Sequence, residues 1–266
     1  MTNKKISIAP ELIFSHYWGE VSAKPRLTVM HVSFGALLDK IGNPEIKIND
    51  STIIERLLNS CAHWFSMNLS ITIIKQIKKY KNLNFEDLTF LIALSYNFCM
   101  EIETTYVESL IEKYFSRKIT GITKGDSLFP EITNNTNGLL VYREQAEKLI
   151  THISDITEEK AHILVRNLGK CDAEARSFGH EFVKSGVSNG YEESEVCKIW
   201  KFISLRSQFL LDYDFSLALG WLLYQIEYLK TYYSYVMNGE IESFEKSYDI
   251  TPILNTIKQK HNITSF

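Results

Sequence analysis

Apolar residues recur at spacings of three and four along most of this chain, which places them on one face of an α-helix. Such a face follows Asp50 and Ser51, either of which can cap the start of a helix. It is formed by Ile54, Leu57, Leu58, Cys61 and Phe65. The segment after Asp50 is therefore predicted to be an amphipathic helix.

Capping and turn residues divide the rest of the chain into further predicted helices. Asn84 is a suitable N-cap, Asp155 and Glu158 resemble a capping box for a helix that ends at Gly169, and Asp172 can cap the next helix, to about Gly186. Residues 71–80 fit a short helix, although the β-branched run at 71–74 also allows a strand. Other predicted helices cover 104–115, 142–153, 192–207, 215–237 and 252–261. The pattern predicts an all-α fold, an irregular multi-helix bundle.

Two regions interrupt this pattern. The N-terminal fifty residues or so are ambiguous, since Leu27 to Val32 fits a short strand or an early helix. The stretch from Gly121 to Gly138 is rich in glycine, proline and asparagine, which favour turns. We therefore expect an N-terminal helical sub-domain at 1–120, a loop or linker at 121–141 and a C-terminal helical sub-domain at 142–266, which together could form one compact domain.

Composition agrees with a folded protein. The 266 residues are 45% hydrophobic and 12% aromatic, with a formal net charge of −3. This balance argues against a protein whose main task is to neutralise phosphates, so nucleic acid is not an expected partner. No secretory signal is readable from Met1 to Phe14 and no apolar run is long enough to span a bilayer, so the mature protein is expected to begin at Met1 and to have no membrane partner. Four widely separated cysteines favour reduced thiols in the cytoplasm.

Motifs for metals, cofactors and phosphate loops are missing from the sequence. His152, Asp155, Glu159 and His162 are metal-capable residue types, but they flank a predicted helix start and would point in different directions. We predict no metal site and no cofactor.

The densest polar group is the run Arg176 to Glu181. Arg176 and His180 are four residues apart and would share a helix face, with Glu181 beside them. A histidine could act as general acid or base while an arginine stabilises a phosphodiester transition state. This group supports an alternative hypothesis, a helical nuclease or other hydrolase.

A basic stripe near residue 80 carries a third hypothesis. Lys75, Lys78, Lys79 and Lys81 surround Tyr80 and could touch nucleic acid or an acidic protein. A run of this length is more often a solvated surface. DNA-binding regulation would rest on this stripe alone.

The C-terminal part combines aromatic and acidic residues suited to binding a basic protein. Trp221, Tyr224 and Tyr228 recur at helical spacing, and this stripe is either core or an exposed partner-binding patch. The acidic candidates for contacts with a partner are Glu192, Glu193, Glu195, Asp212 and Asp214.

Residues 171–224 also resemble a bacterial family, the domain of unknown function 1266. The residues that carry the resemblance are Asp172 and Arg176, Gly190 with the acidic residues after it, Asp214-Phe215 and Gly220-Trp221. The resemblance implies a helical bacterial protein of an uncharacterised family.

The leading hypothesis rests on the missing catalytic motifs and on the acidic and aromatic C-terminal residues. It is a non-enzymatic, cytoplasmic protein-binding protein, such as an immunity protein that neutralises a basic toxin. The sequence does not indicate an oligomeric state.

Overall fold

The computed structural model describes residues 45–59, 77–98, 104–120 and 129–233, together with Gly35 and Leu38. These residues are mostly helical and contain no strand beyond an isolated parallel bridge between Tyr142 and Leu211. The predicted all-α fold is therefore confirmed for this part of the chain. The predictions for 27–32, for most of 71–80 and for 252–261 fall outside the described residues.

Helices α1 to α10 follow in chain order, with single-turn 3-10 helices at Asn134–Thr136 and Ser207–Phe209. Their bounds are α1 Ser51–Asn59, α2 Phe85–Phe98, α3 Thr104–Thr120, α4 Pro130–Thr133, α5 Arg143–Ile153, α6 Glu158–Gly169, α7 Ala173–Ser177, α8 Gly179–Ser188, α9 Glu193–Arg206 and α10 Tyr213–Tyr232.

The chain divides into two compact units. Unit 1 combines Met1–Ser95 with Asp214–Phe266, and unit 2 is the continuous segment Tyr96–Tyr213. The chain thus passes from unit 1 into unit 2 within α2 and returns to unit 1 at the start of α10. The predicted sub-domains at 1–120 and 142–266 stay a prediction. Within the predicted linker, residues 129–136 contain α4 and a 3-10 turn.

Several helix starts follow from local side-chain hydrogen bonds. Asn84 caps α2 as predicted, because its Oδ1 accepts from the backbone N–H of Asp87 at 3.0 Å and the Asp87 carboxylate accepts from the N–H of Asn84 at 2.7 Å. Asp172 caps α7 as predicted, accepting from the N–H of Ala175 at 2.8 Å. The predicted cap Asp155 is wrong. Thr157 takes that position before α6, since its hydroxyl is one residue ahead of the first helical turn.

The core of unit 1 includes aromatic side chains from α2 and α10. The Phe85 ring meets Trp221 and Tyr224 edge-on, with centroids 5.8 and 5.9 Å apart. Gly220 lies so close to α2 that a Cβ there would be 3.1 Å from the Cδ1 atom of Ile92. The absence of a side chain at Gly220 therefore leaves room for this close packing of α10 on α2.

The core of unit 2 is built mainly by α5, α6, α8 and α9. Its centre is Phe182, which is fully buried and packs on Trp200 with ring centroids 5.2 Å apart. The other members are aliphatic and fall at the predicted helical spacing. They include Leu149, Ile150, Ile153, Val165, Leu168, Val196, Ile199 and Ile203.

None of the helices in the described ranges has the length and hydropathy that would be needed to cross a bilayer.

Candidate functional site

The structure separates the residues of the predicted nuclease group. Arg176 lies in α7, whereas His180 and Glu181 lie in α8, and Phe178 joins the two helices. All three polar side chains are exposed. The single helix predicted from Asp172 to Gly186 is therefore wrong, because the chain turns at Phe178 and places Gly179 against Trp200.

The predicted acidic contacts divide into exposed and partly buried groups. Glu192, Glu193 and Glu195 are exposed at the start of α9, where negative charge favours the helix dipole. Asp214 is exposed in the first turn of α10, and Asp212 is half-buried. A binding role for these carboxylates stays a prediction.

The aromatic stripe on α10 runs from the interior of unit 1 to its surface. Trp221 stacks on Tyr224 with ring centroids 6.0 Å apart, and Tyr224 stacks on Tyr228 at 6.3 Å. Trp221 is half-buried, while Tyr224 and Tyr228 are buried. Tyr232 continues the stripe 4.8 Å from Tyr228 and is 46% exposed. Whether these aromatics bind a partner stays a prediction.

A polar cluster at the start of α5, which sequence reasoning missed, anchors the segment that leads into α10. Arg143 donates from Nη1 to the Asp212 carboxylate at 2.6 Å and from Nη2 to the carbonyl of Leu210 at 3.2 Å. Its backbone N–H donates to the carbonyl of Leu211 at 3.1 Å. Both carboxylate oxygens of Glu144 accept from the N–H of Tyr213 at 2.9 Å. Consecutive residues of α5 thus hold all four residues of the segment 210–213.

The same cluster contains two carboxyl groups that titrate near neutrality. Burial raises the pKa of Glu144 to about 7, with the charge of Asp212 acting in the same direction and the hydrogen bond from Tyr213 opposing it. Burial also raises the pKa of Glu147 to about 7, against the opposing charge of Arg143. Protonation near pH 7 thus changes the charge of the cluster.

Glu147 extends the cluster to α6. Its carboxylate lies 2.8 Å from Nδ1 of His162. The side chain of each residue is mostly buried. The hydrogen bond between His162 and Glu147 therefore links two helices of the unit 2 core, α6 and α5.

In the part of the chain that the structure describes, no group of three His, Cys, Asp or Glu side chains could hold a metal ion.

Only part of the polar cluster at the start of α5 can be recognised from the local sequence. Arg143, Glu144 and Glu147 are within one helical turn of each other and fall in a predicted helix, but Asp212 is 69 residues from Arg143. The partners could be paired only after the fold had brought α5 beside the segment 210–213.

The basic stripe is exposed where the structure describes it. Lys78, Lys79 and Lys81 all face solvent in the turn ahead of α2, around the half-buried Tyr80. Among the described residues, no carboxylate forms an ion pair with any of these three lysines. Lys75 falls outside these residues. Three exposed lysines thus fall within four consecutive residues of a chain that is negative overall.

Comparison with known proteins gives one consistent result. The family model of the bacterial DNA polymerase III alpha subunit finger domain matches residues 43–190. The chain is 27% identical over 161 residues to DNA polymerase III subunit alpha of Aquifex aeolicus (strain VF5), covering 59% of this chain and 13% of that protein. It is 28% identical over 160 residues to the protein of the same name from Halalkalibacterium halodurans, covering 60% and 14%. The counterpart from Ureaplasma parvum serovar 3 is 24% identical over 196 residues, covering 73% and 20%.

These findings correct the predicted family and function. The resemblance to the domain of unknown function 1266 is wrong, and the family is not uncharacterised, because the matching model is a polymerase domain that extends through residue 190. The immunity protein with a toxin partner is wrong for the same reason, as is the alternative nuclease. The expectation that nucleic acid is not a partner is also contradicted. That expectation rested on a net charge averaged over 266 residues, which carries no information on how charge is distributed locally.

No short motif in this single sequence marks the relationship, whose signal is spread over a long alignment of low identity. The chain spans only about an eighth of the length of its relative from Aquifex aeolicus. The family model nonetheless covers more than half of this chain, and the chain therefore belongs to the family of the bacterial DNA polymerase III alpha subunit finger domain.

Proposed function

We propose that this chain is a DNA-contacting module of a bacterial replication protein and acts in the cytoplasm. The observation that carries the proposal is the match of residues 43–190 to a polymerase finger domain. The relatives are named DNA polymerase III subunit alpha, so DNA is the partner that the relationship supports.

The proposed activity is binding and positioning of nucleic acid. The alignment covers 13% of the relative from Aquifex aeolicus, so the similarity supports the role of one part of such a polymerase and does not extend to the whole enzyme. We therefore assign no catalytic residue to this chain.

The basic surface in the turn ahead of α2 is the proposed point of DNA contact. Lys78, Lys79 and Lys81 are exposed and lie inside the matched residues. Lysine ammonium groups that replace the counterions of DNA phosphates bind without regard to sequence, and that binding weakens as salt rises. A local group of positive charges on a weakly acidic chain would orient the protein on DNA.

A binding experiment with matched charge changes tests this proposal. The full chain is titrated into a fluorescein-labelled primer–template duplex, and anisotropy is followed from about 50 to about 200 mM salt. The variant Lys78→Gln/Lys79→Gln/Lys81→Gln removes three positive charges from the proposed surface. The control Lys113→Gln/Lys148→Gln/Lys184→Gln removes three from exposed positions on α3, α5 and α8.

We expect the first variant to bind more weakly and to reduce the slope of log K against log salt by about 2–3, since each phosphate contact contributes about 0.9. The control should retain the wild-type slope. Absence of DNA binding by the wild-type chain would refute the proposed function. An equal loss in both triple variants would refute the assignment to the turn ahead of α2.

A further inference from the structure

Helix α9 presents apolar residues on a face that its core packing does not use. Phe202 is 40% exposed and Leu205 is 57% exposed. The opposite face of the helix is the one that enters the unit 2 core, through Val196, Ile199 and Ile203. The exposed aromatic ring is therefore not needed to fill that core.

Two lysines lie on the same face as the exposed ring, both on its N-terminal side. Lys198 and Lys201 are both exposed. Lys198 lies one helical turn before Phe202, and Lys201 lies one residue before it. With Leu205 these residues fall at positions i, i+3, i+4 and i+7, the spacing of a single helical face. Neither lysine forms an ion pair with a carboxylate of the described ranges. We call these four residues the α9 face.

We propose that the α9 face is a stacking site for single-stranded DNA, an inference that rests on the proposed function. The ring of Phe202 stacks on a base, while Lys198 and Lys201, both on the N-terminal side of the ring, hold phosphates of the same strand. An aromatic ring next to cations is the combination that binds single strands without sequence preference, because every base has a π-face and every nucleotide a phosphate.

The charge of α9 sets the extent of this site. Glu193 and Glu195 lie near the first turn, seven or more residues before Phe202, which is about 10 Å along the helix axis. Beyond these carboxylates the helix is basic, from Lys198 through Arg206. A polyanion is therefore attracted to the C-terminal half of α9 and repelled from its beginning.

The test measures binding of the full chain to a labelled thymidine oligonucleotide of about 20 nucleotides and to a blunt duplex. Phe202→Ala should weaken binding to the single strand about tenfold and leave duplex binding unchanged, whereas Phe202→Tyr should keep wild-type affinity. Lys198→Gln/Lys201→Gln should reduce the salt slope on the single strand by about 1.4. Val187→Ala, which shortens another exposed apolar side chain, on α8, should have no effect. Circular dichroism confirms that each variant is folded.

The outcomes separate this inference from the proposed function. Equal binding of the oligonucleotide by wild type and Phe202→Ala overturns the proposal that the α9 face binds single-stranded DNA. In that case the proposed function would still be supported if the variant Lys78→Gln/Lys79→Gln/Lys81→Gln lost duplex binding. A wild-type chain that binds neither DNA overturns both. Sedimentation that shows a dimer in the wild type and a monomer in Phe202→Ala, with unchanged oligonucleotide affinity, would assign the face to a second copy of the chain and overturn the inference.

Discussion

The hydroxyl group of Tyr224 accepts a hydrogen bond at 2.8 Å from the backbone N–H of Asp50, a residue 174 positions earlier in the chain. The same hydroxyl donates to the carbonyl of Lys47 at 2.7 Å. Burial raises the pKa of Tyr224 to about 12, so the hydroxyl keeps its proton at neutral pH and can serve as donor and acceptor together. One buried side chain of α10 thus fixes the segment that enters α1.

Tyr224→Phe tests this link. The substitution keeps the ring and removes both hydrogen bonds, leaving the N–H of Asp50 without this acceptor. We expect the free energy of unfolding to fall by about 1–3 kcal/mol, measured by urea denaturation. The matched control is Tyr232→Phe. Its hydroxyl donates to the Asp50 carboxylate from an exposed position and should contribute less than about 1 kcal/mol. Equal losses in the two variants would contradict the importance of burial at Tyr224.

Gln145 makes a comparable link in unit 2, between α5 and the residues before it. Its side-chain oxygen accepts from the backbone N–H groups of Val141 and Tyr142 at 2.8 and 2.9 Å, and its amide donates to the hydroxyl of Thr136 at 2.7 Å. The side chain is buried. A polar residue in the interior is tolerated here because its oxygen and its nitrogen both have partners.

Gln145→Leu should therefore destabilise the protein by about 2–4 kcal/mol, because two backbone N–H groups lose their acceptor in the interior. Thermal and urea unfolding measure the loss. Gln208→Leu is the control. Its half-buried amide oxygen accepts a bond from exposed Cys171, and the expected loss is less than about 1 kcal/mol. A Gln145→Leu variant as stable as wild type would show that these N–H groups find other partners.

Much of the fold could be predicted because helical structure is encoded locally. Apolar residues at three- and four-residue spacing locate the helices, and Asn84 and Asp172 bond to backbone groups three residues ahead of them. The failure at Asp155 is also local, since Thr157 competes for the same role. Whether a local prediction is correct thus depends on which of several neighbouring residues takes a given position, here the N-cap of α6.

The candidate site could not be predicted in the same way. Arg143 meets Asp212, 69 residues later, only through tertiary packing. The contact of Gly179, the first residue of α8, with Trp200 likewise depends on how α8 packs on α9. The family was hidden for a different reason, because its signal is spread over a long alignment of low identity and no short motif marks it.

Gly179 permits the close contact between α8 and α9. A Cβ atom at this position would lie 2.3 Å from Nε1 of Trp200 and 2.9 Å from two other ring atoms. The indole also contacts the rings of Phe178 and Phe182, with centroids 6.2 and 5.2 Å away, and these contacts oppose its displacement. Gly179→Ala should therefore lower the free energy of unfolding by about 1–3 kcal/mol, as measured by urea denaturation.

A double-mutant cycle provides the control for this prediction. Trp200→Phe removes Nε1 and replaces the indole by a smaller ring, which reduces the contact with a methyl group at position 179. Combined with Trp200→Phe, the change Gly179→Ala should cost less than it does in the wild type, with a coupling of at least about 0.5 kcal/mol. Strict additivity of the two changes would show that the methyl group does not meet the indole.

The polar cluster at the start of α5 predicts how stability changes with pH. The pKa of Glu144 and that of Glu147 rise from about 4.5 to about 7 on folding, mainly through burial, so the folded protein binds more protons than the unfolded chain between these values. The contribution of these two groups to stability is therefore fully present below about pH 4.5 and is lost as the pH rises through about 7.

Glu144→Gln stays neutral at every pH and should weaken this decline of stability between about pH 5 and about pH 8, measured by urea unfolding at several pH values. Glu159→Gln, an exposed carboxyl group on α6, should keep the wild-type pH dependence. The difference between Glu144→Gln and wild type reports the titration of Glu144 together with its coupling to Asp212 and Glu147. A difference that does not change with pH would show that Glu144 is already ionised near its ordinary pKa.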